Sequence, residues 1–258
     1  MTIHFTKYQG TGNDFILIDN REGNITNLDV AKLCHPKFGI GADGLMLLQN
    51  KADYDFEMVY YNSDGNISTM CGNGGRCIVD FAKQLGVFTG NTTTFLAVDG
   101  PHQAHWEAQK VDLHMKDVSE VSVDGSSYIL NTGSPHFVSF VDDLNFDILP
   151  WAKAIRYSDT FKQEGINVNA VSIVNDHTIA VRTYERGVEN ETLSCGTGVT
   201  ACAIAFALKQ NKPNGLIEVN IQTPGGALLV KFEKQEQDFK SVYLCGPATE
   251  VFIGQIEA

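Results

Sequence analysis

Residues 71–82 read Cys71-Gly72-Asn73-Gly74-Gly75-Arg76-Cys77-Ile78-Val79-Asp80-Phe81-Ala82, and residues 195–207 read Cys195-Gly196-Thr197-Gly198-Val199-Thr200-Ala201-Cys202-Ala203-Ile204-Ala205-Phe206-Ala207. Both open on Cys-Gly-x-Gly and run into an apolar stretch. The leading cysteines stand 124 residues apart in a chain of 258, close to half its length. The pattern predicts two similar halves, each presenting a cysteine at the N-terminus of a helix. The helices expected here are Ile78–Leu85 and Ala201–Lys209, so apolar that each belongs inside its own half. Two glycines let the backbone bend sharply and leave its N–H groups uncovered. A helix starting there leaves its first amides unsatisfied and carries partial positive charge at that end. Such a terminus receives a carboxylate or phosphate and favours a reactive thiolate.

Two helix N-termini facing one small anion would add their fields and flank it with two thiols. One thiolate and one thiol on opposite faces of a carbon can remove a proton from one side and return one to the other. That inverts a stereocentre without a cofactor, and thiols suit the task because they titrate near working pH. The carbanion formed beside a carboxylate is stabilised by the same amides. Two matching loops half a chain apart set Cys71 and Cys195 apart from Cys34, Cys77, Cys202 and Cys245, which read as buried packing residues.

Working outward, Ile3–Lys7, Phe15–Asp19 and Phe56–Tyr61 are short apolar runs between turn formers and read as strands. From His102 to Asp124 the chain alternates: Val111, Leu113 and Met115 point one way, and Asp112, His114 and Lys116 the other, as in half-buried hairpins. A further helix is expected over Leu28–Cys34 with Asn27 as its N-cap. Hydrophobic residues make up 43% of the chain and charged ones 19%, enough apolar matter for a packed core. No apolar run reaches the ~20 residues a membrane-spanning helix needs. Nineteen Lys and Arg stand against 31 Asp and Glu, a net charge of −12 with no basic block, which argues against a nucleic-acid or anionic-membrane partner. The N-terminal stretch lacks an apolar signal core, so the six cysteines read as reduced thiols of a cytoplasmic protein.

Other chemistries fit less well. No CxxC occurs and neither loop has a nearby His, against zinc. Four residues separate Cys71 from Arg76, one short of a cysteine-phosphatase loop. Gly39-Ile40-Gly41-Ala42-Asp43-Gly44 matches GxGxxG, but Leu45-Met46-Leu47-Leu48 reads as a strand where a dinucleotide fingerprint opens a helix. His102, His105 and His114 read as surface histidines.

With these residues in view the chain resembles the diaminopimelate epimerases, cofactor-independent enzymes of bacterial lysine and cell-wall synthesis. The resemblance runs nearly end to end: Gly10-Thr11-Gly12-Asn13-Asp14-Phe15, Asn62-Ser63-Asp64-Gly65, the Cys71 block, Gly133-Ser134-Pro135-His136, Asn167-Val168-Asn169, Tyr184-Glu185-Arg186-Gly187 and the Cys195 block. It implies an α+β fold of two similar domains, each a mostly antiparallel sheet curled around a central helix, with the active site in the cleft between them. The division implied is 1–117 with 247–258, carrying Cys71, and 118–246, carrying Cys195. A last strand near Thr249–Ile256 would return to the first domain.

The resemblance also implies roles. Cys71 and Cys195 would be the acid–base pair. Gly72, Asn73, Gly196 and Thr197 would surround the α-carboxylate. His136 and Glu185 would hold the reacting α-amino group and support proton transfer. Asn13, Asn62, Asn167 and Arg186 would bind the distal end of the substrate, Arg186 as a bidentate partner of its carboxylate. No metal and no cofactor are implied. The implied partner is a small amino-acid substrate, with no nucleic acid and no membrane; a homodimer is compatible with the reading. The chain departs from the family pattern in four places: Ser134 where Asn is usual, Gly44 where some members carry Gln, Asn66 for Ser, and one extra residue within Val188-Glu189-Asn190-Glu191-Thr192. The rival readings are a two-cysteine racemase of proline, hydroxyproline or histidine, a binding or redox module of the same fold, and a pyridoxal-phosphate racemase.

Overall fold

A computed structural model describes residues 2–257. The chain forms two compact units: one runs up to Leu113 and resumes at Gly246, and the other is His114–Cys245. The boundaries drawn from resemblance lie four residues and one residue further along. Residues 114–117 side with the second unit because the Met115 amide donates to the Val242 carbonyl and Val118 bridges to Phe239.

In the first unit, β1 (Thr2–Gly10) and β2 (Asn13–Asp19) form an antiparallel hairpin. Its two-residue turn, Thr11-Gly12, has φ of 51° and 84°, positive at both positions as a type I′ turn requires. A long connection bearing α1 (Val30–Cys34) leads to β3 (Gly44–Gln49), parallel to β2. Parallel neighbours need such a crossover. β4 (Phe56–Asn62) returns antiparallel; a second crossover bearing α2 (Gly72–Gln84) leads to β5 (Thr92–Ala97), parallel to β4. β6 (Gly100–Glu107) and β7 (Lys110–His114) complete an antiparallel meander. Val111 and Leu113 on β7, and Met115 just beyond it, are buried, as their alternation predicted.

The second unit repeats these steps. β8 (Val121–Asp124), β9 (Ser127–Asn131) and β10 (Pro135–Phe140) are antiparallel. A crossover bearing α3 (Ile148–Arg156) leads to β11 (Asn167–Asn175), parallel to β10, and β12 (Thr178–Glu185) returns antiparallel. After the short β13 (Asn190–Thr192), α4 (Gly196–Lys209) carries the chain to β14 (Gly215–Thr223), parallel to β12, and β15 (Gly226–Gln235) and β16 (Asp238–Pro247) follow antiparallel. Hairpin, crossover over a short helix, return strand, crossover over a long helix and meander thus occur twice in one order. The repeat legible at the two cysteine loops extends to the whole topology. β17 (Thr249–Glu257) then pairs antiparallel with β1, in the first unit.

Each long helix is its unit's core. α2 is buried from Gly72 to Ala82 and touches β1, β2, β3 and β6; α4 touches β9, β10, β11, β12, β14 and β15. A helix that meets strands from both ends of one sheet is wrapped by it. Ile204 and Phe206 are wholly buried on α4, each contributing roughly 1.5–3 kcal/mol. The shorter helices pack outside: α1 against β3, with Val30 and Leu33 on Ile16 and Leu45, and α3 with Ile148 and Ala152 on Val168 and Tyr184.

Three local expectations need correction. α2 and α4 begin at Gly72 and Gly196, six and five residues before the apolar runs that signalled them. Glycine's poor helix propensity hides a first turn held by tertiary packing. α1 begins at Val30 and is capped by Asp29, not Asn27: the Asp29 carboxylate accepts from Lys32 N–H at 3.0 Å. α3 was not expected; Pro150 breaks its apolar run but falls in the first turn, where no intrahelical donor is lost. Of the three histidines only His105 is exposed, His102 stacking on Phe95 and His114 meeting Tyr243 edge-on. The GxGxxG segment runs into β3, so it opens no helix. Among the described residues no helix is long and apolar enough to cross a membrane.

Candidate active site

Cys71 and Cys195 are the N-cap residues of α2 and α4, each in extended conformation, φ −102° and ψ 129° for one, φ −113° and ψ 114° for the other. Neither side chain caps its own helix, so the first-turn amides and the sulfur stay at the same end. Cys71 is half-buried; Cys195 is buried.

The first turns differ in charge. In α2 the wholly buried Arg76 donates through Nη1 to the Gly72 carbonyl at 3.2 Å, and through Nη2 to Asn73 Oδ1 at 3.1 Å and Thr11 Oγ1 at 3.2 Å. Its Nε donates to the Pro247 carbonyl at 3.3 Å. One guanidinium therefore ties the helix start to the β1–β2 turn and to the chain entering β17. At the equivalent position of α4, Thr200 Oγ1 donates to the Gly196 carbonyl at 2.9 Å. A hydroxyl fills the place of a cation.

Cys195 ends a hydrogen-bonded series. The Asn169 amide is oriented by Phe137, whose carbonyl accepts from Nδ2 at 3.0 Å, and by the Thr183 hydroxyl, which donates to Oδ1 at 2.9 Å. Asn169 Nδ2 also lies 3.2 Å from His136 Nδ1. An amide nitrogen only donates, so Nδ1 accepts and the ring proton sits on Nε2. Nε2–H then donates to Thr197 Oγ1 at 2.9 Å, and that hydroxyl lies 3.5 Å from Cys195 Sγ. Burial, reinforced by the Arg186 charge, pushes the His136 pKa down to about 3, so the imidazole is neutral. Gly198 is required by close approach: a Cβ there would fall 2.7 Å from Asn169 Oδ1 and 3.3 Å from Cys195 Sγ.

The other predicted residues divide between the units. In the first, Asn13 begins β2 and donates through Nδ2 to Asp43 Oδ2 at 3.1 Å. Its Oδ1 is buried and accepts from no described group. Asp43 was missed by sequence reading; burial pushes its carboxyl up. Asn62 ends β4 opposite Gly44. The space a Gly44 side chain would take is filled: a Cβ would lie 2.5 Å from the Tyr60 ring and 2.7 Å from the Tyr61 carbonyl. In the second unit, Asn167 accepts from Arg186 N–H at 2.9 Å and donates to Ser134 Oγ at 2.9 Å and the Pro135 carbonyl at 3.0 Å. Ser134 therefore engages Asn167. Glu185 ends β12 and accepts from Thr192 Oγ1. Arg186 Nη1 donates to the Glu164 carbonyl at 2.8 Å, and no described carboxylate pairs with it. In the β12–β13 hairpin Glu189 takes φ 56°.

A cavity of about 680 Å³ in the first unit is lined by Lys7, Asp14, Cys34, His35, Asp43 and Ser63, among others. None of the predicted site residues lines it, and Lys7 is committed to Asp14 at 2.7 Å and to the Gly41 carbonyl. Among the described residues no three His, Cys, Asp or Glu side chains converge as a metal would need.

Solved structures of similar fold include a phenazine biosynthesis protein from Bacillus anthracis, TM-score 0.75 at 13% identity with both chains fully covered. A probable proline racemase from Agrobacterium radiobacter gives 0.70 at 14%, covering 99% of this chain and 93% of its own. At such identities they establish the fold alone. A diaminopimelate epimerase from Flavobacterium psychrophilum is 52% identical over 251 residues, 95% of this chain and 97% of its own length. One from Aquifex aeolicus is 40% identical over 98% of each. The sequence model of diaminopimelate epimerase matches residues 5–121 and 128–251, one stretch bearing each cysteine. By sequence over both halves, this chain belongs to the diaminopimelate epimerase family.

Proposed function

We infer that the protein epimerises LL-2,6-diaminopimelate to meso-diaminopimelate by two-base proton transfer without a cofactor, supplying lysine and peptidoglycan precursors. The observation that carries the reading is one cysteine at the start of each of two buried helices, in units of matching topology. A thiolate takes the α-proton, the electrons pass into the adjacent carboxylate, and the opposite thiol delivers a proton to the other face. The enzyme ends with thiol and thiolate exchanged, so protons balance. Cys71 and Cys195 are the two bases. The first-turn amides at Gly72, Asn73, Gly196 and Thr197 receive the α-carboxylate, whose charge grows in the transition state. Glu185 takes the α-ammonium. Neutral His136 supports Cys195 through Thr197. Asn13 Oδ1 suits the distal ammonium and Arg186 the distal carboxylate, with Asn62 and Asn167 beside them. The substrate is a small amino acid, with no nucleic acid or membrane as partner; a cytoplasmic location and a homodimer complete the reading.

The test is incubation of the purified protein with LL-diaminopimelate in deuterated water with nothing added. Formation of the meso isomer with deuterium at the inverted α-carbon is expected. Turnover of proline, hydroxyproline or histidine in place of diaminopimelate would transfer the reading to the two-cysteine racemases, and binding with no exchange would make the chain a binding module.

A further inference from the structure

Arg186 does not stand alone. Gly165 has φ +75°, and a Cβ built on it would lie 2.6 Å from Arg186 Cδ, 2.9 Å from Arg156 Cζ and 3.0 Å from Arg156 Nη2. Two arginine side chains therefore cross one bare backbone position, whose positive φ already disfavours any side chain and whose Cβ would displace the arginines. Arg156, the last residue of α3, is held there from its other side. Its Nη2 donates to Glu189 Oε1 at 3.0 Å, and its guanidinium lies 4.8 Å from the centre of the Tyr157 ring.

Glu189 is itself fixed. Its Oε1 accepts from Gly187 N–H at 3.2 Å, and its Oε2 from the Tyr157 and Tyr184 hydroxyls at 2.8 and 3.0 Å. Burial raises its pKa, but the Gly187 amide, the two hydroxyls and Arg156 outweigh that and hold the carboxylate ionised below its ordinary range. Glu189 belongs to the β12–β13 hairpin. Arg156 Nε and Nη1 are buried without an acceptor among the described residues. A cation kept only to complement the C-terminus of α3 would lie in water, as a lysine does, and would not leave two nitrogens unbonded.

We propose that Arg156 is a positioning residue for Arg186: braced by Glu189, it walls the Arg186 side chain against Gly165 so that its guanidinium meets the distal carboxylate of the substrate in one orientation. The proposal rests on the reading of Arg186 as the ligand of that carboxylate. Bidentate pairing depends on a fixed plane, so freeing Arg186 to rotate weakens binding even though its charge remains. The distal carboxylate is bound equally in ground and transition states, so the loss falls on KM and spares kcat. A merely structural role does the opposite: it lowers the active fraction and hence the apparent kcat.

The experiment measures diaminopimelate kinetics and thermal melting for Arg156→Gln, Arg156→Lys and Glu189→Gln, alone and in an Arg186→Lys background. Arg156→Gln should raise KM by about tenfold with kcat within about twofold, and Glu189→Gln by severalfold. Arg156→Lys keeps the charge at the end of α3 but cannot lie flat on Gly165, so it too should raise KM. In the Arg186→Lys background Arg156→Gln should add less than about twofold, since the group it positions is gone. A wild-type KM in Arg156→Lys and Glu189→Gln overturns the proposal, and so does an Arg156→Gln effect of full size in the Arg186→Lys background. If Arg156→Gln does not fold, the other two variants decide. If Arg186→Lys alone leaves KM unchanged, the reading of Arg186 falls and this inference with it; if only the Arg156 and Glu189 variants are silent, the positioning role alone is wrong.

Discussion

At Cys195 a buried thiol, a threonine hydroxyl and an imidazole lie in line, and the imidazole's state is settled by what stands behind it. Asn169 donates to Nδ1 and leaves the proton on Nε2, while burial and Arg186 keep the ring neutral. The energetic consequence has a definite sign. In the unfolded chain His136 takes up a proton near pH 6.5, whereas the folded chain refuses it down to about 3. Between those values the unfolded state binds more protons, so stability falls as pH drops, by up to roughly 1.4 kcal/mol per pH unit. Melting of the wild type should therefore decline more between pH 7 and pH 5 than melting of His136→Gln; equal declines would show that His136 is not the group responsible. The cysteines themselves are tested by activity. Cys71→Ala and Cys195→Ala should each lose epimerisation by roughly 10²–10⁴-fold while keeping the wild-type circular dichroism spectrum. Near-normal turnover in either variant contradicts a two-base mechanism. The two cysteines stood out by their paired loops, and Arg186 only through the family resemblance; Asn169, Thr183 and Asp43 did not stand out, because each meets a partner 30 or more residues away or across a strand pair, and such pairs leave no periodic signal.

Among the elements, the two central helices show where sequence signals stop. Their apolar bodies announced themselves, but their first turns are made of glycine, asparagine and threonine and read as loop. Those turns carry the proposed chemistry. Gly198 is the clearest case: alanine would normally favour a helix by about 1 kcal/mol over glycine, but here its methyl would press on Asn169 Oδ1 and the Cys195 sulfur. Overpacking costs about 1–3 kcal/mol, so Gly198→Ala should be near neutral or modestly destabilising in melting yet strongly impaired in kcat. Wild-type turnover by this variant would show that the close approach does not matter to catalysis. α3 went unread because Pro150 interrupts its pattern, although a proline in the first turn costs the helix nothing.

For the molecule as a whole, the first unit is closed by the last strand of the chain. β17 pairs with β1 from Thr2↔Glu257 to Gln9↔Thr249, and Phe5 lies over Gly254 and meets Phe252 edge-on. Deleting residues 249–258 would uncover the backbone edge of β1 and strip Phe5 of its cover. The truncated chain should melt at lower temperature and aggregate on concentration, even though no proposed catalytic residue is removed. An unchanged melting profile would show that β17 is dispensable to the first unit.

Local pattern alone determined the repeated Cys-Gly-x-Gly loops, their place at helix starts, the alternating strands and, through resemblance, the order of the family's motifs. These are properties of neighbours in the chain, written in glycine spacing and in periods of two and of three to four. Only the tertiary structure decided that the repeat is a repeat of topology, that a cation supports one helix start and a hydroxyl the other, and that Glu189 holds Arg156 where it and Arg186 both lie over Gly165. Those facts depend on burial and on side chains brought together by strand pairing, and neither quantity is defined until the chain has folded.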